Sequence, residues 1–385
     1  MPNNIEFSDR LKQLPPYLFA EIDKAKRAAK AQGRDIIDLG IGDPDMPTPQ
    51  FIIDALTSAA QNNSNHHYAL DAGMSQLRQA IADWCKKRFN ITLAPDGEIY
   101  PLIGSKEGLT HLPLGIINPG DKVLIPDPCY PAYRSSVMFA GGEVVSIHLD
   151  EKNGFLPNLS EIKDAKALFL NYPNNPTAGV VSKEYLKNLI AIAKKENIIL
   201  ISDLAYSEVY YDNEKPLSLL EIEGAKDVAI EFHSLSKTFY MTGWRIGWAC
   251  GNPKLLAALA KVKANVDSGI FQAIQVAATE ALKNGDTAVK NMRTLYEDRR
   301  DTFVKALKEI GWDVPSPKAT FYIWAPIPKT FKNSMEAAKA FLDKADIVAT
   351  PGVGFGPAGE GYIRMTLTVE KEKLIEAAQR LKKIL

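Results

Sequence analysis

Lys183-Glu-Tyr-Leu-Lys-Asn-Leu-Ile-Ala-Ile-Ala-Lys-Lys195 followed by Ile198-Ile-Leu-Ile201-Ser-Asp203 is the stretch on which the fold turns. In the first part Leu186, Leu189, Ile190 and Ile192 recur at helical spacing, which predicts a helix over 183–195. In the second part four apolar, mostly β-branched residues follow one another without alternation, as in a strand buried on both faces. Upstream, Ala167–Leu170 is a second apolar run, so the segment reads strand, helix, strand. That unit builds a parallel sheet covered by helices, with right-handed crossovers.

Working outward, the same alternation continues. Ile99–Ile103 leads into a helix from Glu107, Val123–Ile125 precedes a helix near Tyr133–Phe139, and Val144–Ile147 follows. Asp227–Phe232 and Ile246–Cys250 add strands on the other side. After about residue 285 the pattern changes to a long charged helix, Thr287–Ile310, and then shorter strands and helices. An amphipathic helix at about 17–32 also lies outside the alternation. A chain of 385 residues exceeds what one core usually spans. The expected division is a large α/β domain over 45–285 and a smaller α+β domain from 1–44 plus 286–385.

Composition excludes several classes of function. Lys plus Arg and Asp plus Glu number 46 each, so neither nucleic acid nor an anionic membrane is expected as partner. Lys24, Lys26, Arg27 and Lys30 read as a solvated helix face. Cys85, Cys129 and Cys250 are far apart, with no CxxC, which indicates neither a disulfide framework nor a zinc site and fits a reducing compartment. No metal is expected. His66-His67 is read as structural, because adjacent side chains diverge on a regular element. The first residues carry no apolar targeting segment and no run approaches the ~18 residues of a membrane span, so a cytoplasmic location is expected. Gly352-Val-Gly354-Phe-Gly356-Pro-Ala-Gly359 imitates a dinucleotide fingerprint, but Pro357 and the strand-like Tyr362–Thr366 follow where a helix should open. A flexible loop is expected there.

The chemistry concentrates in Ser234-Leu-Ser-Lys237-Thr-Phe-Tyr-Met-Thr-Gly-Trp-Arg245. Lysine forms a Schiff base with an aldehyde, and hydroxyls with a guanidinium suit a phosphate. A lysine-bound, phosphate-bearing cofactor would require this set. Other polar motifs fall at strand ends, where open α/β folds bind ligands. Gly104-Ser105-Lys106 opens a helix whose N–H groups suit a phosphate. Asn175-Pro-Thr177 follows one strand, and Asp203, with Tyr206 three residues on, ends another. A carboxylate so placed is costly unless it meets a cation or donor.

Asn175-Pro-Thr, Asp203-Leu-Ala-Tyr206, Ser234-Leu-Ser-Lys237 and Arg245 together resemble the class I, fold-type I aminotransferases that depend on pyridoxal 5′-phosphate. Leu14-Pro-Pro-Tyr17-Leu-Phe, Asp38-Leu-Gly-Ile-Gly42-Asp, Gly104-Ser-Lys106-Glu-Gly and Asp127-Pro-Cys-Tyr130-Pro resemble the LL-diaminopimelate aminotransferases within that class. The resemblance covers essentially the whole chain. It implies a mostly parallel seven-stranded sheet in the large domain, and a homodimer with shared active sites. The implied reaction converts tetrahydrodipicolinate and glutamate to LL-diaminopimelate and 2-oxoglutarate, in lysine and cell-wall synthesis.

The resemblance also implies roles. Lys237 would hold the cofactor and carry the substrate's Cα proton. Asp203 would pair with the protonated pyridine nitrogen, keeping the ring an electron sink. Tyr206 and Asn175 would bond the phenolic oxygen, Tyr130 would stack on one ring face, and Ala205 would lie against the other. Ser105, Lys106, Ser234, Ser236 and Arg245 would hold the phosphate, joined by Tyr68 from the partner subunit. Arg364 would grip the substrate α-carboxylate, and Tyr17, Gly42, Asp71, Lys106, Tyr130 and Asn175 would line the substrate pocket. The chain departs from the family pattern in three places. Asp71 stands where better-known members carry Glu, Asp267-Ser268-Gly269 lacks a Ser-Asn pair, and Asn175-Pro-Thr-Ala-Gly179 is one residue longer. The rival readings are an aminotransferase for aspartate, alanine, methionine or aromatic amino acids, a carbon–sulfur lyase using the same cofactor, and a non-catalytic cofactor-sensing regulator.

Overall fold

The computed structural model describes residues 5–14, 18–69 and 72–385, the side chain of Phe19 excepted. Its centre is a seven-stranded sheet. In spatial order the strands are Ile99–Leu102, Gly247–Gly251, Ala229–Ser234, Ile199–Asp203, Ala167–Leu170, Lys122–Asp127 and Glu143–His148. All neighbours pair in parallel except at Gly247–Gly251, which runs against both of its neighbours. The exception has a local cause. Only a short helix, Leu235–Thr238, and a tight turn, Thr242–Trp244, join it to the preceding strand. A parallel return needs a full crossover connection.

Unbroken apolar strands follow from helices on both faces. Successive side chains point to opposite faces of a strand. Phe169 and Ile201 pack with Leu109, Leu112, Tyr133 and Leu259 on one side. Leu168 and Leu200 pack with Leu77, Ile81, Leu189 and Ile190 on the other. The helix Lys183–Glu196 contributes Leu186, Leu189 and Ile190 as expected, and starts from Ser182, whose hydroxyl accepts from Tyr185 N.

Three expectations need correction. The strand placed at Asp227–Phe232 is Ala229–Ser234. Asp227 lies in a 3-10 turn instead, its carboxylate 2.6 Å from Lys194 Nζ, because a charged side chain there is better paired at the surface than inside a covered sheet. The helix expected from Glu107 begins at Ser105. The glycine-rich stretch 352–359 is not a loose loop. It forms two 3-10 turns with Phe355 buried, and Cys129 N donates to Phe355 O at 2.9 Å. A Cβ on Gly352 would strike the Gly359 carbonyl, so these glycines serve close backbone packing. The strand Tyr362–Thr366 follows them, as read.

The remaining elements use both ends of the chain. Tyr362–Thr366 is the middle of a three-stranded antiparallel sheet with Thr350–Pro351 and Tyr322–Pro326. Ile37–Asp38 pairs in parallel with Ile347–Val348. The long helix Asp286–Glu309 sends Arg299 onto both carboxylate oxygens of Asp45 at 2.7 Å. On the basic N-terminal helix face Lys24, Arg27 and Lys30 are exposed as expected, but Lys26 is mostly buried, its Nζ held 3.0 Å from Asp23 and from Asp38. His66 is satisfied by the Ala60 carbonyl. Among the described residues no helix is long and apolar enough to cross a membrane.

Candidate active site

Strands that run parallel deliver their carboxyl ends to one edge of the sheet, so the chain segments that follow them converge. Here those segments are Gly104-Ser105, Asn171–Asn175, Asp203 and Ser234. They line a cavity of about 260 Å³ together with Arg364 from the three-stranded sheet. Gly42, Lys106, Tyr130, Ala205, Tyr206, Ser236, Lys237 and Arg245 also line it. The sequence spreads these residues over more than three hundred positions, and the topology gathers them.

Asp203 ends the most apolar strand and is 6 % exposed. Burial pushes its carboxyl up to about 6, against the opposing pull of the Tyr133 hydroxyl and the Ala205 amide. Tyr133 Oη donates to Oδ2 at 2.8 Å, and Asn171 Nδ2 donates to the Asp203 carbonyl at 2.8 Å. Oδ1 is buried and has no hydrogen-bond partner among the described residues. A buried carboxylate oxygen left in this state is costly, so the site suits a ligand that brings its own proton donor, such as a protonated ring nitrogen.

Lys237 extends from the short helix after Ser234, whose hydroxyl accepts from Ser236 N and starts that helix. Lys237 Nζ donates to the Gly42 carbonyl at 2.7 Å. Burial lowers the ammonium to about 8; Asp43 opposes this, and the positive Arg364 and Arg245 add to it. An amine poised so near neutrality is nucleophilic for a substantial fraction of the time.

Arg364 is 3 % exposed. Its Nη1 donates to Asn175 Oδ1 at 2.8 Å and its Nη2 to the Gly40 carbonyl at 2.7 Å. The guanidinium lies between the rings of Tyr322 and Phe355, 4.3 and 4.7 Å from their centroids. With its oxygen turned to Arg364, the Asn175 amide keeps its nitrogen as a remaining donor. Tyr206 Oη is 2.8 Å from Tyr322 Oη. Gly42 is required here, because any Cβ would strike the Tyr322 hydroxyl.

The cavity also offers an anion cradle. Gly104 takes φ +78°, and the helix Ser105–Ile116 opens behind it with no side chain among the described residues capping its first N–H groups. Such a helix start attracts phosphate. Ser105, Ser234 and Ser236 add hydroxyls to the same lining, and Lys106 and Arg245 add charge. A Cβ on Gly104 would strike the Arg245 guanidinium, so the bare glycine lets that side chain approach. Arg245 itself is turned by a left-handed backbone and by its bond to Thr242 O at 2.8 Å. An orphan acceptor, a near-neutral lysine and a phosphate cradle in one cavity are what a phosphorylated pyridine aldehyde needs.

Some expected residues stand apart. Tyr68 is 94 % exposed and does not line this cavity. Tyr17 and Asp71 lie outside the described residues. Sequence reasoning missed Tyr133, Asn171 and Tyr322, which hold Asp203, the Asn175 loop and Tyr206. Tyr133 could have been found from its place one helical turn past Tyr130. Asn171 is the first residue beyond a strand end, a position that carried weight elsewhere in the chain. Tyr322 sits in an aromatic pair that reads as core. Nearby, Glu107, His111 and Asp267 are close enough to hold a cation, and the buried Lys263 ammonium already lies 3.3 Å from Glu107 and 2.7 Å from Asp267.

Residues 34–381 match the family described as aminotransferase class I and II. The LL-diaminopimelate aminotransferase of Nitratidesulfovibrio vulgaris is 52% identical, over 98% of this chain and 99% of its own. That of Aquifex aeolicus is 51% identical, over 98% and 99%. Among solved structures, apo-BacF from Bacillus subtilis superposes with a TM-score of 0.95 at 38% identity, covering 99% of this chain and 98% of its own.

Proposed function

The chain belongs to the class I and II aminotransferases, and on that premise we propose that it is an LL-diaminopimelate aminotransferase using pyridoxal 5′-phosphate. The observation that carries the cofactor is the buried Oδ1 of Asp203, without a hydrogen-bond partner among the described residues, in one cavity with Lys237. The substrate rests on the relatives that share half of the sequence along its whole length. The test is an assay of the purified protein with LL-diaminopimelate and 2-oxoglutarate. Glutamate should form in step with the loss of diaminopimelate, and its absence would refute the substrate reading.

When bound, the cofactor supplies an aldehyde and an electron-withdrawing ring that accepts the electron pair left at the substrate's Cα. The residues do the rest. Lys237 would hold the cofactor and, once freed, its Nζ would take the Cα proton as a general base. Asp203 Oδ1 would accept the ring N–H, while Tyr133 keeps Oδ2 occupied. Asn175 Nδ2 and Tyr206 Oη would donate to the phenolic oxygen. Ser105, Lys106, Ser234, Ser236, Arg245 and the helix N–H groups would hold the phosphate. Tyr130 and Ala205 would border the two ring faces. Arg364 would take the substrate α-carboxylate in two parallel bonds, its orientation fixed by Asn175, Gly40 and two rings.

Asp203→Asn tests the ring-nitrogen assignment. The variant loses a charge-assisted bond in a dry site, which costs ~3–4 kcal/mol of transition-state stabilisation, or roughly a few hundredfold in rate. Some cofactor should still bind. Near-normal turnover would mean that another group holds the nitrogen.

We read the protein as a cytoplasmic homodimer with Tyr68 completing the partner's phosphate site. The exposure of Tyr68 and its absence from its own cavity support this, and a two-fold dimer would place each Tyr68 at the other site. Mixing inactive Lys237→Ala subunits with subunits inactivated at Tyr68 alone should restore activity, because one site of the hybrid collects both defects and the other neither. Confirmed subunit exchange without rescue would assign each site to a single chain. We also retain 45–285 as the large unit and 1–44 plus 286–385 as the small one. The seven-stranded sheet between residues 99 and 251 and the pairing of Ile37–Asp38 with Ile347–Val348 support that division.

A further inference from the structure

We infer that Tyr322 is a positioning residue that sets the donor strength of the Tyr206 hydroxyl toward the cofactor according to whether Arg364 holds a carboxylate. This rests on the function proposed above. Tyr322 is 2 % exposed and lies on the strand paired with that of Arg364, diagonal to it across the sheet. Thr320 Oγ1 accepts from its backbone N–H at 3.1 Å and fixes the start of the strand. One end of its side chain meets a cation and the other a hydroxyl. The Arg364 guanidinium lies 4.3 Å from the ring centroid, and Tyr206 Oη lies 2.8 Å from Tyr322 Oη. A phenylalanine would fill the same volume and keep the cation–ring contact, so the hydroxyl is the part that requires an account.

Each of these tyrosines has one proton to give. If Tyr206 gives its proton to Tyr322, nothing is left for the cavity. If Tyr322 donates, Tyr206 is free to donate to a ligand, and by accepting it becomes the stronger donor. The positive Arg364 acidifies both hydroxyls, but it weighs more at Tyr322, against whose ring it lies, than at Tyr206, and so favours the second state. Burial keeps both phenols protonated. A carboxylate on Arg364 offsets that field, weakens Tyr322 as a donor and lets the Tyr206 proton turn away from the cavity. Arg364 reaches the other donor to the phenolic oxygen directly, through Asn175 at 2.8 Å. Three routes therefore run from one guanidinium, through Asn175, through its own field on Tyr206 and through Tyr322, and only the last is lost in Tyr322→Phe.

The experiment titrates the visible absorption of the holoenzyme against pH for wild type, Tyr322→Phe, Tyr206→Phe and the double variant, with and without saturating maleate, a dicarboxylate with no amino group. A weaker donor leaves the cofactor's phenolic oxygen more basic, so the linkage to Lys237 keeps its proton to higher pH. Tyr322→Phe should raise the midpoint by roughly half a unit, placing it between wild type and Tyr206→Phe. The rise that maleate causes in wild type should shrink by about half in Tyr322→Phe, with Asn175 and the direct field of Arg364 on Tyr206 carrying the remainder. The double variant should match Tyr206→Phe alone, since Tyr322 acts through Tyr206. Thermal stability and cofactor affinity of Tyr322→Phe should stay near wild type. A Tyr322→Phe midpoint and maleate response equal to wild type would overturn the proposal, as would a further rise in the double variant. If wild type develops no visible band with the cofactor, the cofactor assignment itself fails, which is a different result from a band that does not shift.

Discussion

Lys237→Ala should lower turnover by roughly 10⁴-fold or more, the upper range for a single general base, with loss of the covalent hold added to it. In wild type, borohydride should fix the cofactor on the peptide that contains Lys237, and label on Lys106 instead would overturn the assignment. The geometry explains why this lysine and not another. Its Nζ is held by the Gly42 carbonyl, inside the cavity that holds Asp203. Burial brings its ammonium down to about 8. Only the neutral amine attacks an electrophile, so labelling of Lys237 in the cofactor-free protein should rise with pH and be half-maximal near 8. Asp43 holds the value up, and Asp43→Asn should move that midpoint lower. A midpoint near that of a solvated lysine, ~10.4, would remove the desolvation argument.

The parts of the molecule legible in the sequence are those governed by short-range rules. Ala167–Leu170, Lys183–Glu196 and Tyr362–Thr366 announce themselves by period and composition, and the structure places them within a residue of expectation. The polar motifs share one cavity because each lies at or soon after a strand end, and parallel strands bring such ends to one edge. What could not be read depends on contacts distant in sequence. Nothing local tells that Tyr133 reaches Asp203, seventy residues on, or that Tyr322 touches Tyr206. The glycines of 352–359 suggested looseness, yet they permit a backbone contact between Gly352 and Gly359 that no side chain would allow. The boundary error at Asp227 has the same origin, because its partner Lys194 belongs to another helix.

The amino acid accepted should be one with a distal polar group, and LL-diaminopimelate should exceed leucine or phenylalanine by ~10⁴ or more in kcat/KM. Two features of the cavity pull in opposite directions. Lys106 and Tyr130 border a second cavity of about 790 Å³, so a long side chain has somewhere to extend. Leu18, Met138, Phe139 and Phe355 line that space and would welcome an apolar chain. Apolar walls alone discriminate weakly, since a methylene more or less changes rates by only ~10–200-fold. Groups that must bond a polar substrate discriminate strongly, because an analogue without the partner leaves them buried and unpaired. Lys106 stands at the junction of the two cavities, where it can meet a distal carboxylate. Asp71 is the residue proposed for the distal ammonium. Asp71→Ala should therefore erode the preference while leaving the glutamate half-reaction mostly intact. If phenylalanine or methionine turns over as fast as diaminopimelate, the apolar wall sets the specificity, and the chain is an aminotransferase of broader range.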